Sequence, residues 1–466
     1  MAIFATVSLT TISTWKCDNE DAIVQSPETT DAHPVPAKQP GRTNRSALGG
    51  RTWVSVIVVG LVGQLAWTIE NMYLNLFVYD TISPDPTVIA IMVGASAVVA
   101  TVATLLVGAW SDRVGKRRVF VSFGYIAWGI CTAGFGFVGV PSGTGAVAGA
   151  AVLGAVIGII ALDCIMSAFG SGANDAAFNA WVTDSTTPAN RGRVDGALAV
   201  LPLIAMLLVF GLLDGLTRAG DWKTFFAIVG LVTSATGVIS WFLIRDRPIP
   251  RSRERVFAAV LRGLYPSTIR QQPTLYLTLA LWAVIGTSTQ VFLPYVIIYL
   301  QRYLRIEAYA LALGIVLILA SAFSVVAGRI MDRVGKDRFL IPAVAVFAVG
   351  LVAMTFARDL PFVIAAATVM MAGMMASLAT VSAMTRDQTP PDRAGSVQGI
   401  RMILGVMVPM IAGPFIGAAV IAGAANTYTS LGVTQPVPGP EIFPAAAIVL
   451  VLVPILAYLR SRTVRA

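Results

Sequence analysis

The chain has 466 residues, is 56% hydrophobic and only 12% charged, and carries a mean hydropathy of +0.77 with a net charge of +9. A water-soluble protein of this length needs a far more charged surface, so the composition points to an all-α integral membrane protein. The positive charge does not read as a nucleic-acid face, because the basic residues sit in short loops between apolar runs, where they set topology and meet anionic lipid.

Residues 1–50 are polar, rich in Thr, Pro and acidic residues, and read as a disordered cytoplasmic tail. The start, Met1 to Ile12, lacks a basic stretch, so no cleaved signal peptide is expected. Twelve apolar runs come next, each long enough to cross a hydrocarbon core of roughly 30 Å. They are predicted at 53–79, 87–110, 119–140, 150–182, 194–217, 224–244, 274–300, 309–331, 339–357, 361–385, 396–422 and 443–459. The fourth is long and interrupted by Gly158, Gly170 and Gly172, which predicts a kink, a tilt or an extension beyond the membrane. The segment Arg245 to Gln272 carries seven arginines and divides the runs six and six. Its stretch Arg253 to Leu264 reads as a short amphipathic helix on the membrane surface. The expected organisation is therefore a tail (1–50), a six-helix bundle (51–245), a cytoplasmic linker (246–273), a second six-helix bundle (274–460) and a cytoplasmic C-terminus (461–466). With both termini inside, only Arg218, Lys223, Arg302, Arg305 and Arg358 fall outside, leaving the other 28 of 33 basic residues on the cytoplasmic side.

The chain repeats itself. Gly108-Ala109-Trp110-Ser111-Asp112-Arg113-Val114-Gly115-Lys116-Arg117-Arg118 recurs as Gly328-Arg329-Ile330-Met331-Asp332-Arg333-Val334-Gly335-Lys336-Asp337-Arg338, after the second and eighth runs. Thr187-Pro188 with Arg191, Val194 and Gly196 recurs as Thr389-Pro390 with Arg393, Val397 and Gly399, after the fourth and tenth. Two repeats in the same order imply two similar membrane halves and alternating access, hence a transporter. Gly108 and Gly328 are expected to let helices approach, and Gly115 and Gly335 to reverse the chain. Asp112 is expected near the start of the eleventh run or Arg393, and Asp332 near Val194 and Arg191, locking the cytoplasmic side when the cavity opens outward. Arg113, Lys116, Arg118, Arg333, Lys336 and Arg338 complete this gating motif.

Ionisable groups inside a membrane need a reason, since each costs about 2.5–3.5 kcal/mol mid-helix. Asp163 and Glu70 are the clearest, with Asp175 nearer the cytoplasm and Asp214 nearer the outside; Asp163, Glu70 and Asp175 are the candidate proton-coupling residues. A carboxyl in an apolar cavity can exchange a proton near neutral pH. Helical spacing puts Asp163, Ser167, Gly170, Asn174, Phe178 and Trp181 on one face of the fourth run, and Gln64, Asn71, Asn75 and, at its edge, Trp67 on one face of the first. Glu70 lies about 120° from Gln64 and is expected to face a neighbouring helix. Both stripes are expected to face a cavity, joined from the second half by Gln290, Tyr295 and Tyr299. Amides and indoles suit a sugar, through hydroxyl pairing and ring stacking. Met370, Met371, Met374 and Met375 read as packing, or as an adaptable wall for a greasy solute.

The doubled G-x-x-x-D-R-x-G-R/K-R/K loop resembles the signature of the major facilitator superfamily over residues 51–460. That resemblance implies two six-helix bundles around a central cavity opening alternately to each side. The first run, Gly60 to Asn75, and the polar end of the fourth, Asn174 to Trp181, look like those of the glycoside–pentoside–hexuronide:cation and sucrose:proton symporters. These carry acidic residues on helices one and four. Residues 87–110 hold no Asp or Glu, so the sodium site of that group is not expected, and proton coupling or none is. The helix-five motif of the drug:proton antiporters is absent from Gly196 to Leu216, although Gly413-Pro414-Phe415-Ile416-Gly417 is a partial version.

The leading expectation is proton-coupled import of a sugar or glycoside; the alternative is proton-driven efflux of an amphipathic drug or metabolite. No metal, cofactor or enzyme motif is found. Of three cysteines, Cys17 lies in the tail and Cys131 and Cys164 in apolar runs, while the one histidine, His33, is also in the tail. The expected partners are a small-molecule substrate, protons and the lipid bilayer. The protein is expected to act as a monomer in a bacterial inner membrane; sparse lysine beside plentiful arginine is the hint of a GC-rich bacterial source.

Overall fold

The structure, a computed structural model, describes residues 48–139, 146–246, 263, 265–389, 394–424, 426–430 and 433–465. The predicted tail up to residue 47, most of the predicted surface helix Arg253 to Leu264, and Arg393 lie outside the described residues.

Among the described residues, twelve helices are long and apolar enough to cross a membrane: α1 (Gly50–Thr81), α2 (Pro86–Val114), α3 (Arg117–Phe137), α4 (Gly149–Ser185), α5 (Asn190–Arg218), α6 (Trp222–Leu243), α7 (Pro273–Tyr303), α8 (Tyr309–Val334), α9 (Lys336–Phe356), α10 (Leu360–Asp387), α11 (Val397–Ala424) and α12 (Ile442–Thr463). Every predicted end lies within about four residues of the observed one. Helices dominate because a bilayer offers the backbone no other hydrogen-bond partner. Polar side chains inside the spans satisfy themselves the same way: Thr68, Thr101, Thr132, Thr233 and Thr380 each bond the carbonyl four residues back. Asp85, Asp221 and Asp359 cap the starts of α2, α6 and α10 by accepting a backbone N–H. The only described β-structure is a hairpin, Thr427–Ser430 with Val433–Pro436, between α11 and α12; hydropathy did not forecast it.

The helices form two six-helix bundles, α1–α6 and α7–α12. In the first, α3 lies along α6, α2 along α4 and α1 along α5; in the second, α9 lies along α10, α8 along α10 and α7 along α11. Glycine sets the closest approaches. A Cβ at Gly129 of α3 would lie 2.4 Å from the Gly230 carbonyl oxygen of α6, so these backbones touch. Gly129→Val is expected to cost about 1–3 kcal/mol by overpacking, read as a lower Tm of the purified protein. Large apolar side chains such as Leu212, Leu231, Phe356 and Ile448 are exposed on the outer surface, as lipid contact requires.

The starts of the odd-numbered helices and the ends of the even-numbered ones share one end of the molecule. This basic end carries the two repeated turns. Gly115 (φ 69°) and Gly335 (φ 91°) make those turns in the left-handed region that glycine favours. The expected close approach at the other motif glycines is not observed. Gly108 has only an ordinary contact with Ala176, and a Cβ at Gly328 would meet nothing within 4 Å.

Candidate functional site

The bundles meet tightly at the end opposite the basic one. Tyr295 of α7 donates to the carbonyls of Pro86 (3.2 Å) on α2 and Pro414 (2.9 Å) on α11. Arg302 of α7 pairs with Asp80 of α1 at 2.8 Å, and Tyr79 donates to Pro436 of the hairpin at 2.7 Å. Asp214 of α5 is a hub: it accepts from Tyr73 of α1 at 3.1 Å, from Tyr309 of α8, and from Arg218 at 2.6 Å. Arg218 also stands 5.3 Å from the ring centre of Tyr309. This end is therefore closed by side chains that bridge the bundles.

At the basic end four ion pairs stay within one bundle. Arg117 pairs with Asp112 and with Asp184 (3.2 Å), Lys336 with Asp387, and Arg460 with Asp337. A cavity of about 500 Å³ runs between the bundles from this end to mid-depth. Asp112, Asn179 and Gln398 line its mouth, and Trp67, Glu70, Asn71, Trp282 and Gln290 line it further in. Beyond lies an apolar void of about 60 Å³, lined by Met72, Met206, Met354, Met370 and Met371 among others. Asn71 and Gln290 line both spaces and so form the floor between them.

The structure divides the predicted binding residues. Trp67, Asn71, Gln290, Glu70 and Asp175 reach the large cavity. Gln64, Asn75, Asn174, Trp181 and Tyr295 are not among the residues that line it. Asn174 accepts a bond from Tyr125 at 2.8 Å, and the Tyr125 hydroxyl also lies 2.9 Å from the Val59 carbonyl, tying α1, α3 and α4 together. Trp181 donates to the Arg245 carbonyl at 3.1 Å, and Asn75 to the Asn71 carbonyl at 2.8 Å. Tyr299 is buried against Phe443 instead of the cavity.

Wide π-helical turns interrupt five of the spans. They replace regular helix at Ile69–Tyr73, Ser171–Phe178, Val209–Leu213, Tyr299–Tyr303 and Ile403–Met407. Each turns the downstream part of its helix to a new facing. On α1 the cavity face is centred on Trp67, which brings in Glu70 and Asn71 at the next turn and leaves Asn75 behind. Glu70 meets the neighbouring α4 through Ser167, as expected, and lines the cavity as well. On α4 the cavity face is Ser171, Asp175 and Asn179, one residue round from the predicted stripe.

Glu70 Oε1 accepts from Ser167 of α4 at 2.7 Å, while its Oε2 has no hydrogen-bond partner. Asp163 lies one helical turn from Ser167, buried behind the cavity wall beside Ser96, and its Oδ1 is likewise unpartnered. Two carboxyls and two hydroxyls thus cluster where α1, α2 and α4 meet. Asp175 accepts from Asn174 at 3.0 Å.

The motif residues take other partners than expected. Asp112 bonds Arg117 of its own turn and not α11. Arg191 donates to Thr186 (3.2 Å) and to the Thr183 carbonyl (3.3 Å), closing the end of α4 instead of meeting Asp332, which is exposed. The Arg118 backbone N–H donates to Asp246 at 2.9 Å, and its guanidinium lies 4.4 Å from the Trp241 ring centre. Arg113, Lys116, Arg333 and Arg338 are exposed. Arg401 was missed altogether: counted as a helix-end charge, it lines the cavity over Trp282. Its place one and a half turns inside a predicted span was the available signal.

The sequence pattern of the Major Facilitator Superfamily matches residues 56–414 and again 283–465. No curated protein matches the chain. Among solved structures, a point mutant of the nucleoside transporter NupG superposes with a TM-score of 0.67 at 12% identity, covering 88% of this chain and 98% of that one. A bacterial homologue of the human lysosomal transporter Spinster, in an inward-facing and occupied conformation, gives a TM-score of 0.64 at 16% identity, over 89% of this chain and 97% of its own. At these identities the likeness is one of fold.

Proposed function

The chain belongs to the major facilitator superfamily, whose members are transporters working by alternating access, and on that footing we propose that it is a proton-coupled importer of a sugar or glycoside. The observation that carries the coupling is Glu70: it lines the cavity and accepts from Ser167, which lies one helical turn from Asp163 behind the wall. A proton taken up there would be felt by whatever sits against Trp67 and Asn71. The solute reading rests on one indole and two amides, Trp67, Asn71 and Gln290, around the cavity floor. Nucleosides, the cargo named for one structural neighbour, are themselves glycosides.

We place the basic end in the cytoplasm, because 28 of 33 basic residues then lie inside. The structure is then inward-open, and Asp112 would exchange Arg117 for the start of α11 only when that side closes. The protein would act as a monomer in a bacterial inner membrane. A second reading, efflux of an amphipathic compound, is favoured by one feature, the methionine-lined void under the floor.

The test is external pH on deenergised cells expressing the protein, pulsed with disaccharides, glycosides and cationic dyes. Alkalinisation on adding a sugar or glycoside is the expected result. No such response, with dye efflux that collapses together with the proton gradient, would replace import by the efflux reading.

A further inference from the structure

Arg401 is a charge that proton coupling leaves without a task. It sits on the cavity wall supplied by α11, beside Gln398 and Met402. Its guanidinium lies 5.2 Å from the ring centre of Trp282 on α7, and its Nε is cut off from solvent with no hydrogen-bond partner. The arrangement is built, not incidental. A Cβ at Gly405 would lie 3.3 Å from Trp282 Cδ1, so the indole packs closely on α11 at the one position of that turn without a side chain. Arg386 at the end of α10 adds a second positive charge in range. On the opposite wall stand Glu70 and Asp175, while Asp112 is already held by Arg117.

A topology-setting arginine keeps its head in water. Arg401 instead spends its charge inside the cavity, a placement that is costly unless something repays it. A guanidinium against an aromatic face keeps its N–H edge for planar, bidentate recognition of carboxylate or phosphate. We propose that Arg401 and Trp282 form an oxyanion subsite of the cavity, and that the transported solute carries a carboxylate or phosphate on a ring-shaped body. Trp67 and the amides of Asn71 and Gln290 would receive the body, and Arg401 the acid. The inference rests on the cavity being the substrate path. It does not rest on protons being the coupling ion.

The experiment is equilibrium binding to the purified full-length protein, followed by tryptophan fluorescence and by thermal shift. Its ligands are matched pairs: glucose against glucuronate and glucose 6-phosphate, and uridine against uridine 5′-monophosphate. In at least one pair the acidic member is expected to bind about tenfold or more tighter, as charge-assisted hydrogen bonds imply. Arg401→Gln is expected to erase that preference, bringing the two members of the pair to similar affinity, and its ligand-free thermal melt reports whether the variant is folded. Arg401→Lys, a charge without the fork, should keep part of it. A panel with no acidic preference overturns the subsite, as does a preference that survives Arg401→Gln. If Arg401 served only to meet Asp175 when the cavity closes, Arg401→Gln would slow transport of every solute alike and change no binding ratio; that result also overturns it. Binding needs no gradient, so failure of proton coupling and failure of this subsite appear in different measurements.

Discussion

Glu70→Gln is expected to abolish accumulation of substrate against its gradient while leaving exchange of labelled for unlabelled substrate intact. One proton per solute crossing a gradient of one pH unit supplies about 1.4 kcal/mol, a tenfold concentration ratio. The amide should bring that ratio to one. The reason is local. Glu70 Oε1 is held by Ser167 and its Oε2 is unpartnered, so the carboxyl has one oxygen fixed in place and one to carry a proton. Gln keeps the shape and the bond from Ser167 but cannot titrate. Uptake into proteoliposomes with and without an imposed pH gradient measures both modes. Undiminished accumulation in Glu70→Gln would remove this residue from the coupling path. Loss in Asp163→Asn alone would then move the proton behind the cavity wall.

Asp214→Asn should open the end that is now shut. Asp214 joins three donors, of which Tyr309 comes from the other bundle. Hydrogen bonds to a charged group contribute about 1.5–3 kcal/mol each, so loss of the charge should shift the two-state balance by roughly ten- to a hundredfold. A cysteine in place of Leu293 at the cavity floor, with Cys131 and Cys164 changed to serine, reads the shift through labelling by an impermeant thiol reagent from the far side. Labelling should rise in Asp214→Asn and, less strongly, in Tyr309→Phe. Equal labelling with and without Asp214 would show that the closure is held elsewhere, for example by Tyr295 on Pro86 and Pro414.

The site was less legible than the fold, for reasons visible in single residues. Asn174 was expected in the cavity because a polar side chain on a membrane helix must not face lipid. That reasoning is sound but offers two destinations, and Asn174 went to the other, the bundle interior, where Tyr125 meets it. Trp181 ended on the Arg245 carbonyl within its own bundle, and Tyr295 on the Pro86 and Pro414 carbonyls where the two bundles meet. Glu70 reaches the cavity because the inner face of α1 is centred on Trp67, with Glu70 and Asn71 one turn on, and not on Gln64, a rotation that periodicity alone does not set. Asp112 and Arg191 found partners a few residues away in their own bundle.

The sequence alone determined whatever depends on length, hydropathy and duplication. The twelve spans come from apolar run length against membrane thickness. The reversal at Gly115 and Gly335 comes from the one residue that takes a positive φ without penalty. The family comes from a turn repeated at the same place in both halves. Only the tertiary structure decided which side of each helix meets the cavity, because that depends on helix rotation, on wide turns and on which neighbour satisfies a polar group first. Arg401 carries both lessons. Its charge and its depth in the span are written in the chain, but only the packing of α7 on α11, through Gly405, turns a helix-end arginine into a guanidinium over Trp282 inside the cavity.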